Sequence, residues 1–293
     1  MLCTVYNVLT HLGAGRPATT RMVSLAEGLR LVPLRQAASP FLCFPKQILW
    51  KSAMNRSLVA IPAYNEETSI REVVSRVRES LPEFDLLVVN DGSHDATGQI
   101  LHDLHVVTAT HLCNLGYGYA IQTAVQYAFS EKYDTLIILD ADGQHHPEQI
   151  AGMVQEFINQ GWDVLIGSRY VESRKYSGAP FGRRRGMQLF STLTGLVTGQ
   201  HIYDTSSGLK IMRRSVFEPL TRWHFVDFHA EALVYLIRLG YRIGEYPITV
   251  AERMYGQSMY SVLSHLVYPL KTLLMILLGV VEAELTCRKG GRE

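Results

Sequence analysis

The chain has 293 residues, of which 47% are hydrophobic and 19% are charged, and its formal net charge is +1. This length allows one large α/β domain or two small ones with a sizeable buried core. A net charge near zero excludes the global positive field that attracts nucleic acid, so no nucleic-acid partner is expected.

The four cysteines, Cys3, Cys43, Cys113 and Cys287, show no C-x-x-C spacing. Zinc and thiol redox motifs are therefore not expected, and four scattered cysteines are too few for a disulfide framework. This usage fits a reducing compartment, so we expect a cytoplasmic protein.

Residues 1–53 show neither a clear hydrophobic period nor an alternation of strands and helices. This pattern favours a poorly ordered N-terminal extension, with an N-terminal helix as the alternative interpretation. Translation that begins at Met54 would also explain the change of pattern.

From residue 57 onward, short apolar runs alternate with segments whose apolar residues recur every three to four positions. The runs predict buried strands, and the periodic segments predict helices with one apolar face. Strands are expected at 58–61, 86–89, 106–109, 136–139 and 164–166, and helices at 70–81, 95–104, 120–128 and 147–158. This alternation predicts an α/β fold with a mostly parallel sheet and helices on both faces.

Polar clusters follow the predicted strands after Ile61, Val89, Leu139 and Ile166. Ligands of parallel α/β sheets bind outside the carboxyl ends of the strands. The sequence therefore predicts a ligand site built from these clusters.

The first two clusters contain groups that suit a nucleoside. Tyr64 could stack on a base or ribose, and Glu66 or Asp91 could accept hydrogen bonds from base or sugar donors. Each cluster also fits a plain turn, because acidic residues are favoured at helix N-termini and Gly92 permits a tight turn.

The third cluster contains two aspartates, Asp140 and Asp142, directly after an apolar strand. On an extended chain their side chains would point the same way, and such like charges need a cation or donor between them. A hard divalent ion, Mg²⁺ or Mn²⁺, takes oxygen ligands from carboxylates and phosphates, and Gln144 could add another. A solvated loop is the alternative. His145 and His146 invite a zinc interpretation, but no other His or Cys lies at suitable spacing.

The most hydrophobic stretch, residues 266–281, is 16 residues long and contains Pro269 and Lys271. A bilayer-spanning helix needs roughly 20 apolar residues, so this segment falls short. It predicts an apolar helix that lies on a membrane surface, at the cytoplasmic face, or that packs against a hydrophobic partner or the core. Arg288 and Lys289 follow the stretch and could meet anionic headgroups.

Five motifs occur in order along the chain. They are Ile61-Pro62-Ala63-Tyr64-Asn65-Glu66, Val89-Asn90-Asp91-Gly92-Ser93, Asp140-Ala141-Asp142-Gly143-Gln144, Asp204-Thr205-Ser206-Ser207-Gly208-Leu209-Lys210, and Arg253 followed by Gly256-Gln257-Ser258. In this order and spacing they resemble the motifs of family 2 glycosyltransferases with the GT-A fold. The chain is most similar to the branch that contains dolichyl- and polyprenyl-phosphate mannosyl- and glucosyltransferases. This resemblance implies a GT-A domain at 54–262, between the extension at 1–53 and the apolar helix and tail at 263–293.

The resemblance also implies roles for individual residues. Asp142 would be the direct metal ligand, with Asp140 and Gln144 assisting, and Arg253 would act on phosphate together with the two aspartates. The other donor contacts would come from Pro62, Tyr64, Glu66, Asp91, Ala141, Arg169 and Ser258. Surface salt bridging is the alternative role for Arg169 and Arg253.

The reaction that the resemblance implies is inverting transfer of a hexose from a GDP- or UDP-linked sugar to a polyprenyl phosphate. A lipid phosphate is anionic at neutral pH and needs no general base. A saccharide hydroxyl would need one, and Asp227 and Glu231 are then the candidates. Many enzymes of the branch carry lysine where this chain has Met259, so a non-catalytic nucleotide-sugar-binding protein is a third interpretation.

Overall fold

The computed structural model describes residues 56–172, 181–222, 228–251 and 264–290. The predictions for residues 1–53, Asp227, Arg253, Ser258 and Met259 therefore concern positions outside the described residues.

The described residues form a seven-stranded sheet with the order β3-β2-β1-β4-β6-β5-β7. Its strands are β1 Ser57–Ala63, β2 Asp85–Asn90, β3 Val107–Thr110, β4 Thr135–Ile138, β5 Val164–Ser168, β6 Lys210–Arg213 and β7 Ile243–Pro247. All neighbours pair in parallel except β6, which runs antiparallel to β4 on one side and to β5 on the other. The mostly parallel sheet predicted from the sequence is confirmed.

Eight α-helices accompany the sheet in the described residues. They are α1 Ile70–Ser80, α2 Thr97–Asp103, α3 Tyr117–Ser130, α4 Ile150–Gln160, α5 Phe181–Thr198, α6 Phe217–Arg222, α7 Ala230–Arg238 and α8 Ser264–Gly290. A short 3₁₀ turn, Pro147–Gln149, leads into α4. Proline fits there because its missing N–H has no partner in a first helical turn.

Successive residues of each central strand serve opposite faces of the sheet. Leu58 and Ala60 of β1 belong to a core that includes residues of α3, α6 and α7. Val59 and Ile61 belong to a second core, which includes residues of α1 and α4. Because the strands are buried on both sides, they read as continuous apolar runs in the sequence.

The path of the chain reverses direction across the sheet between β1 and β4. Strands β1, β2 and β3 proceed towards one edge, and β4 then pairs with the other side of β1. In open α/β sheets such a switch point opens a crevice at the carboxyl ends of the strands, where ligands bind. The loops after β1 and β4 flank this crevice.

The C-terminal helix expected from the sequence is present as α8. Its Ile276 is buried beside Ala230 and Val234 of α7 and Phe190 of α5. Among the described residues, no helix combines the length and apolar character that crossing a bilayer requires.

Candidate active site

The loops after β1 and β2 are held together by hydrogen bonds. The amide of Asn65 donates to Ser93 Oγ at 3.0 Å, and the amide of His94 donates to Asn65 Oδ1 at 2.9 Å. Asn65 has φ 54°, in the left-handed region that asparagine tolerates better than most residues. A further bond of 2.8 Å joins the Glu66 amide to Thr97 Oγ1. The first two predicted clusters therefore form one structural unit.

Three residues of the first cluster were predicted to contact the donor. Pro62 is buried within β1, opposite Val89 of β2, and Tyr64 is half-buried just beyond the strand. Glu66 accepts a hydrogen bond of 2.6 Å from Ser69 Oγ with its Oε2 atom. Their position at the crevice agrees with a donor site, and their contacts with a nucleoside stay a prediction.

Asp91 is buried, and its carboxylate bonds to three groups of the protein. The amides of Leu115 and Gly116 donate to it at 2.9 and 2.8 Å, and His111 Nδ1 lies 2.6 Å from its Oδ1. The other ring nitrogen of His111 lies 2.9 Å from Thr123 Oγ1. In this structure Asp91 ties the chain that leads into α3 to the end of β2, and its predicted contact with a nucleoside stays a prediction.

Asp140 follows β4 and is confined on three sides. Tyr117 Oη donates to its Oδ1 at 2.9 Å, and His145 Nε2 lies 3.8 Å from its Oδ2. A Cβ atom built on Gly208 would overlap the carboxylate, so only glycine leaves room for it. Its side chain is nevertheless 29% exposed, which leaves part of the carboxylate accessible.

The chain turns at Ala141 and Asp142 and does not stay extended. The strand alternation that would point Asp140 and Asp142 the same way therefore does not reach the second aspartate. Gly143 takes φ 73°, and the amide of Gln144 donates to Asp142 Oδ1 at 3.0 Å. Asp142 is partly exposed.

These residues offer the oxygen ligands that Mg²⁺ and Mn²⁺ prefer, so a hard divalent ion fits their chemistry. Gln144 Nε2 donates to the carbonyl of Ala251 at 3.3 Å, so its other side-chain atom is an oxygen acceptor. Within the described part of the chain, no three His, Cys, Asp or Glu residues form a cluster that could hold a metal by themselves. Phosphate oxygens of a ligand are also suitable ligands for such an ion.

His145 is almost fully buried beside the two aspartates. Burial lowers its pKa, although the charges of Asp140 and Asp142 oppose the shift. Its Nδ1 atom has no hydrogen-bond partner among the described residues. Burial therefore disfavours the charged form of His145 beside Asp140.

Arg169 follows β5 and pairs with Asp204 through both carboxylate oxygens. Its Nε and Nη2 atoms donate to Asp204 at 2.7 Å each, and Nη2 also donates to Ser206 Oγ at 3.1 Å. Burial alone would lower the pKa of Arg169, but the hydrogen bonds and charge of Asp204 raise it, and Asp140 adds a smaller contribution. Arg169 is therefore in a buried ion pair, and it lies within electrostatic range of Asp140.

Lys210, the first residue of β6, is fully buried and donates through Nζ to the carbonyl of Ser207. Burial lowers its pKa to about 8, against the opposing charges of Asp140, Asp204 and Glu231. Glu231 lies in the first turn of α7, is 2% exposed, and accepts the amide of His229 at 3.2 Å. The proposed general base Glu231 is thus away from solvent.

The antiparallel strand β6 brings the fourth motif to the other clusters. Lys210 pairs with Ile138 of β4 and with Ile166 of β5, so residues 204–209 lie between the carboxyl ends of both strands. The described parts of four motifs therefore meet at one edge of the sheet. Sequence reasoning assigned no role to Tyr117, Asp204 or Lys210, although the fourth motif contains the last two, and it considered His145 only as a zinc ligand.

Comparison with known proteins identifies the family. The family model described as glycosyl transferase family 2 matches residues 58–221, which is more than half of the chain. The chain belongs to glycosyltransferase family 2. The resemblance drawn from the five motifs is confirmed.

Two relatives show how members of this glycosyltransferase family compare with the chain. A polyprenol monophosphomannose synthase from Mycolicibacterium smegmatis is 32% identical over 70% of this chain and 81% of its own length. A UDP-N-acetylglucosamine–dolichyl-phosphate N-acetylglucosaminyltransferase from Methanococcus voltae is 29% identical over 68% of this chain and 86% of its own.

A solved structure supports the fold of this family 2 member. It is a glucosyl-3-phosphoglycerate synthase from Mycobacterium tuberculosis, crystallised with Mn²⁺, UDP-glucose and phosphoglyceric acid. It superposes with a TM-score of 0.58 at 17% identity and covers 83% of this chain and 85% of its own. At this identity the likeness concerns the fold alone, and it confirms the predicted fold class.

Proposed function

We propose that this family 2 glycosyltransferase is an inverting enzyme that transfers a hexose from a nucleotide diphosphate sugar to a polyprenyl phosphate. Both relatives described above are named for polyprenol- or dolichyl-phosphate glycosylation, and they are named for different sugars. The observation that carries the proposal is the partly exposed carboxylate of Asp140 at the switch point, within electrostatic range of Arg169.

The donor is proposed to lie along the crevice between the loops after β1 and β4. Pro62, Tyr64, Glu66 and Asp91 would hold the nucleoside, and Asp140, Ala141 and Asp142 would hold the diphosphate. A divalent ion bound by Asp142, with Asp140 and Gln144 assisting, would neutralise the charge that develops on the leaving diphosphate. The calorimetry described below compares Mg²⁺ with Mn²⁺.

The acceptor is proposed to be a lipid phosphate, whose oxygen is the nucleophile. A phosphate monoester has its second pKa near ~6, so it is anionic at neutral pH without a base. The resemblance places Arg169 and Ser258 among the donor contacts. Because Arg169 is ionised and can hydrogen-bond a phosphate, we propose that it contacts the acceptor phosphate instead, and that Arg253 and Ser258 add phosphate contacts from their later motif.

A saccharide acceptor is the second candidate, and it makes a different demand on the protein. A sugar hydroxyl has to lose its proton to a base during attack. Glu231 is the described candidate, and its carboxylate is buried near Lys210 and bonded to a backbone amide. These contacts fit a structural role better, and they favour the acceptor that needs no base.

The polyprenyl acceptor also gives the exposed face of α8 a role. Five apolar residues spaced along one side of this helix are between 45% and 57% exposed: Leu274, Leu277, Leu278, Val281 and Leu285. We propose that this stripe contacts the cytoplasmic face of a membrane while residues 54–262 form the catalytic domain. Residues 1–53 would be an extension, and residues 263–293 the membrane-associated segment.

Calorimetry would test the donor part of the proposal. GDP-mannose, UDP-glucose, UDP-N-acetylglucosamine and UDP-galactose are titrated with no metal, with Mg²⁺ and with Mn²⁺. We expect metal-dependent binding of one donor, lost in Asp142→Asn and retained in Asp163→Asn. Asp163 is a suitable control because it precedes β5 and bonds to Ser215 and Arg242, at the opposite end of the sheet. Failure of every donor to bind under all three conditions would contradict the proposal.

A transfer assay would test the acceptor. The donor that binds in calorimetry is incubated with the protein and with polyprenyl phosphate in detergent micelles. We expect glycosylated lipid phosphate from the wild-type protein and from Glu231→Gln. Product on saccharides alone, abolished by Glu231→Gln, would favour the second candidate. Donor binding without any turnover would leave the non-catalytic interpretation.

A further inference from the structure

The orientation of the Arg169 guanidinium is fixed by hydrogen bonds to the carboxylate of Asp204. Two hydrogen bonds of 2.7 Å fix one edge of its guanidinium to Asp204, and the amide of Arg169 donates to the same carboxylate at 3.1 Å. A planar fork bound in this bidentate way has a defined orientation, which a single hydrogen bond would not impose.

Asp204 is itself held rigidly. Its side chain is fully buried, whereas that of Arg169 is 17% exposed, so the pair reaches from the interior towards the surface. The amides of Tyr203 and Asp204 each donate to the Glu245 carboxylate of β7 at 2.8 Å. The loop that carries Asp204 is therefore attached to the strand beside β5, and the carboxylate has little freedom to follow a moving arginine.

The same segment also contacts the predicted metal-binding loop. Four residues after Asp204, the backbone of Gly208 lies against the carboxylate of Asp140. Residues 204–208 thus hold Arg169 at one end and pack on Asp140 at the other. The position of the arginine relative to the diphosphate site is set by this short stretch.

One guanidinium nitrogen of Arg169, Nη1, has no hydrogen-bond partner among the described residues. Nε and Nη2 are used by Asp204 and Ser206. A purely structural ion pair between Arg169 and Asp204 would not require a ligand for Nη1. An anionic phosphate oxygen is the ligand that this remaining donor suits best.

We propose that Asp204 is a positioning residue that fixes the guanidinium of Arg169, so that Nη1 meets a phosphate oxygen of the lipid acceptor. This inference rests on the proposed function and deepens it. Loss of Asp204 is expected to impair use of the acceptor while the donor is still bound, because a displacement of about 1 Å in a positioned group can cost about 100-fold in rate.

The test is a double-mutant cycle on the full chain with Asp204→Asn, Arg169→Lys and the double variant. The rate is measured against polyprenyl phosphate concentration at saturating donor. We expect Asp204→Asn to lower kcat/KM for the lipid about 10- to 100-fold. In the Arg169→Lys background, which lacks the fork, the same change is expected to cost less than about threefold, because coupled residues are not additive.

Three accompanying measurements separate positioning from folding. In Asp204→Asn the donor Kd from calorimetry is expected to change far less than kcat/KM for the lipid, because Nη1 of Arg169 is proposed to contact the acceptor phosphate and not the donor. Asp163→Asn, the control at the other end of β5, should change neither value. If Asp204→Asn fails to fold, Ser206→Ala removes the 3.1 Å bond from Nη2 to Ser206 Oγ and the 3.4 Å bond from that hydroxyl to Asp204 Oδ1, and a milder loss of kcat/KM is expected from it.

Two results would overturn the inference in an active enzyme. One is an equal effect of Asp204→Asn in both backgrounds, and the other is an unchanged kcat/KM in folded Asp204→Asn or, failing that, in Ser206→Ala. Absence of lipid product from the wild-type protein would be a distinct failure, because it would overturn the proposed function and this inference together.

Discussion

The freedom of the Asp140 carboxylate is limited by the groups around it, and Gly208 is the least replaceable of them. A methyl group on Gly208 would overlap the carboxylate, and the nearest atoms all belong to Asp140. We expect Gly208→Ala to displace Asp140 and lower kcat by at least about 10-fold, because small displacements of a positioned group are costly. Steady-state kinetics and metal-dependent donor binding would measure this loss.

Gly186 in α5 provides the matched control, since a Cβ atom there meets nothing within 4 Å. Gly186→Ala is expected to keep activity and to stabilise the helix by roughly 0.5–1 kcal/mol. Equal activity of the two alanine variants would show that the close approach of Gly208 to Asp140 has no catalytic importance.

Tyr117 gives a second prediction at the residue scale, because its hydroxyl donates to Asp140 Oδ1 at 2.9 Å. Tyr117→Phe removes this donor, and we expect about a 10-fold loss of kcat together with a loss of about 1 kcal/mol of unfolding free energy. Tyr133→Phe removes a similar bond, 2.8 Å from Oη to Asp85 Oδ2, far from the crevice. It should cost about 1 kcal/mol of unfolding free energy and leave kcat unchanged. The opposite pattern in kinetics, with similar losses for both variants in urea unfolding, would contradict the assignment.

Helix α8 has two apolar faces with different surroundings. Ile276 is 1% exposed and packs on α7 and α5, where Arg238 of α7 also pairs with Glu284 at 3.0 Å. We expect Ile276→Ala to lower the unfolding free energy by about 2–5 kcal/mol, as other buried large-to-small changes do. Leu277→Ser on the opposite face should change it by less than about 0.5 kcal/mol. Urea titration of both variants would show whether the two faces differ in this way.

The exposed face of α8 is expected to bind membranes because its apolar side chains lose contact with water on insertion. Replacing Leu274, Leu277, Leu278 and Val281 by serine should reduce the vesicle-bound fraction at least several-fold in a sedimentation assay. Leu112→Ser removes a leucine that is 90% exposed on the loop after β3, and it should have no effect. Unchanged binding of the fourfold variant would contradict a membrane-facing α8.

The elements that could be predicted from the sequence are those buried on both sides. Strands β1, β2, β4 and β5 consist of apolar runs because both faces of the sheet are covered. Strand β6 was not predicted because it begins with Lys210 and ends with Arg213. A buried lysine in a strand is compensated by carboxylates distant in sequence, and no local pattern reveals them.

The site could be predicted only in part, for a similar reason. Polar residues just after apolar strands are visible in the sequence, and the topology places them at one edge of the sheet. The pairing of Arg169 with Asp204 joins positions 35 residues apart. It depends on β6 running antiparallel, a reversal that alternation of strands and helices does not predict.

At the scale of the whole molecule, the site places several charged side chains inside the fold. Lys210 is a fully buried cation among them. Its pKa is lowered to about 8 in the folded protein, chiefly by burial, from an ordinary value of 10.5. Between these two values the unfolded chain binds more protons than the folded one at this position. The unfolding free energy should therefore rise with pH in this window, by at most about 1.4 kcal/mol per pH unit, and this contribution is lost as the pH falls towards 8.

Comparison of the wild-type protein with Lys210→Met isolates this contribution. Tyr127 and Tyr133 have raised pKa values, chiefly from burial, and they act in the opposite direction above about pH 10 in both proteins. Urea unfolding at pH 7.5, 9 and 10 gives the difference between wild type and variant at each pH. We expect the unfolding free energy of the wild type to increase relative to that of the variant as the pH rises. The buried lysine loses its charge over this range, whereas methionine has no charge to lose. A difference independent of pH would mean that Lys210 keeps its ordinary pKa, and that the carboxylates of Asp140, Asp204 and Glu231 fully offset its burial.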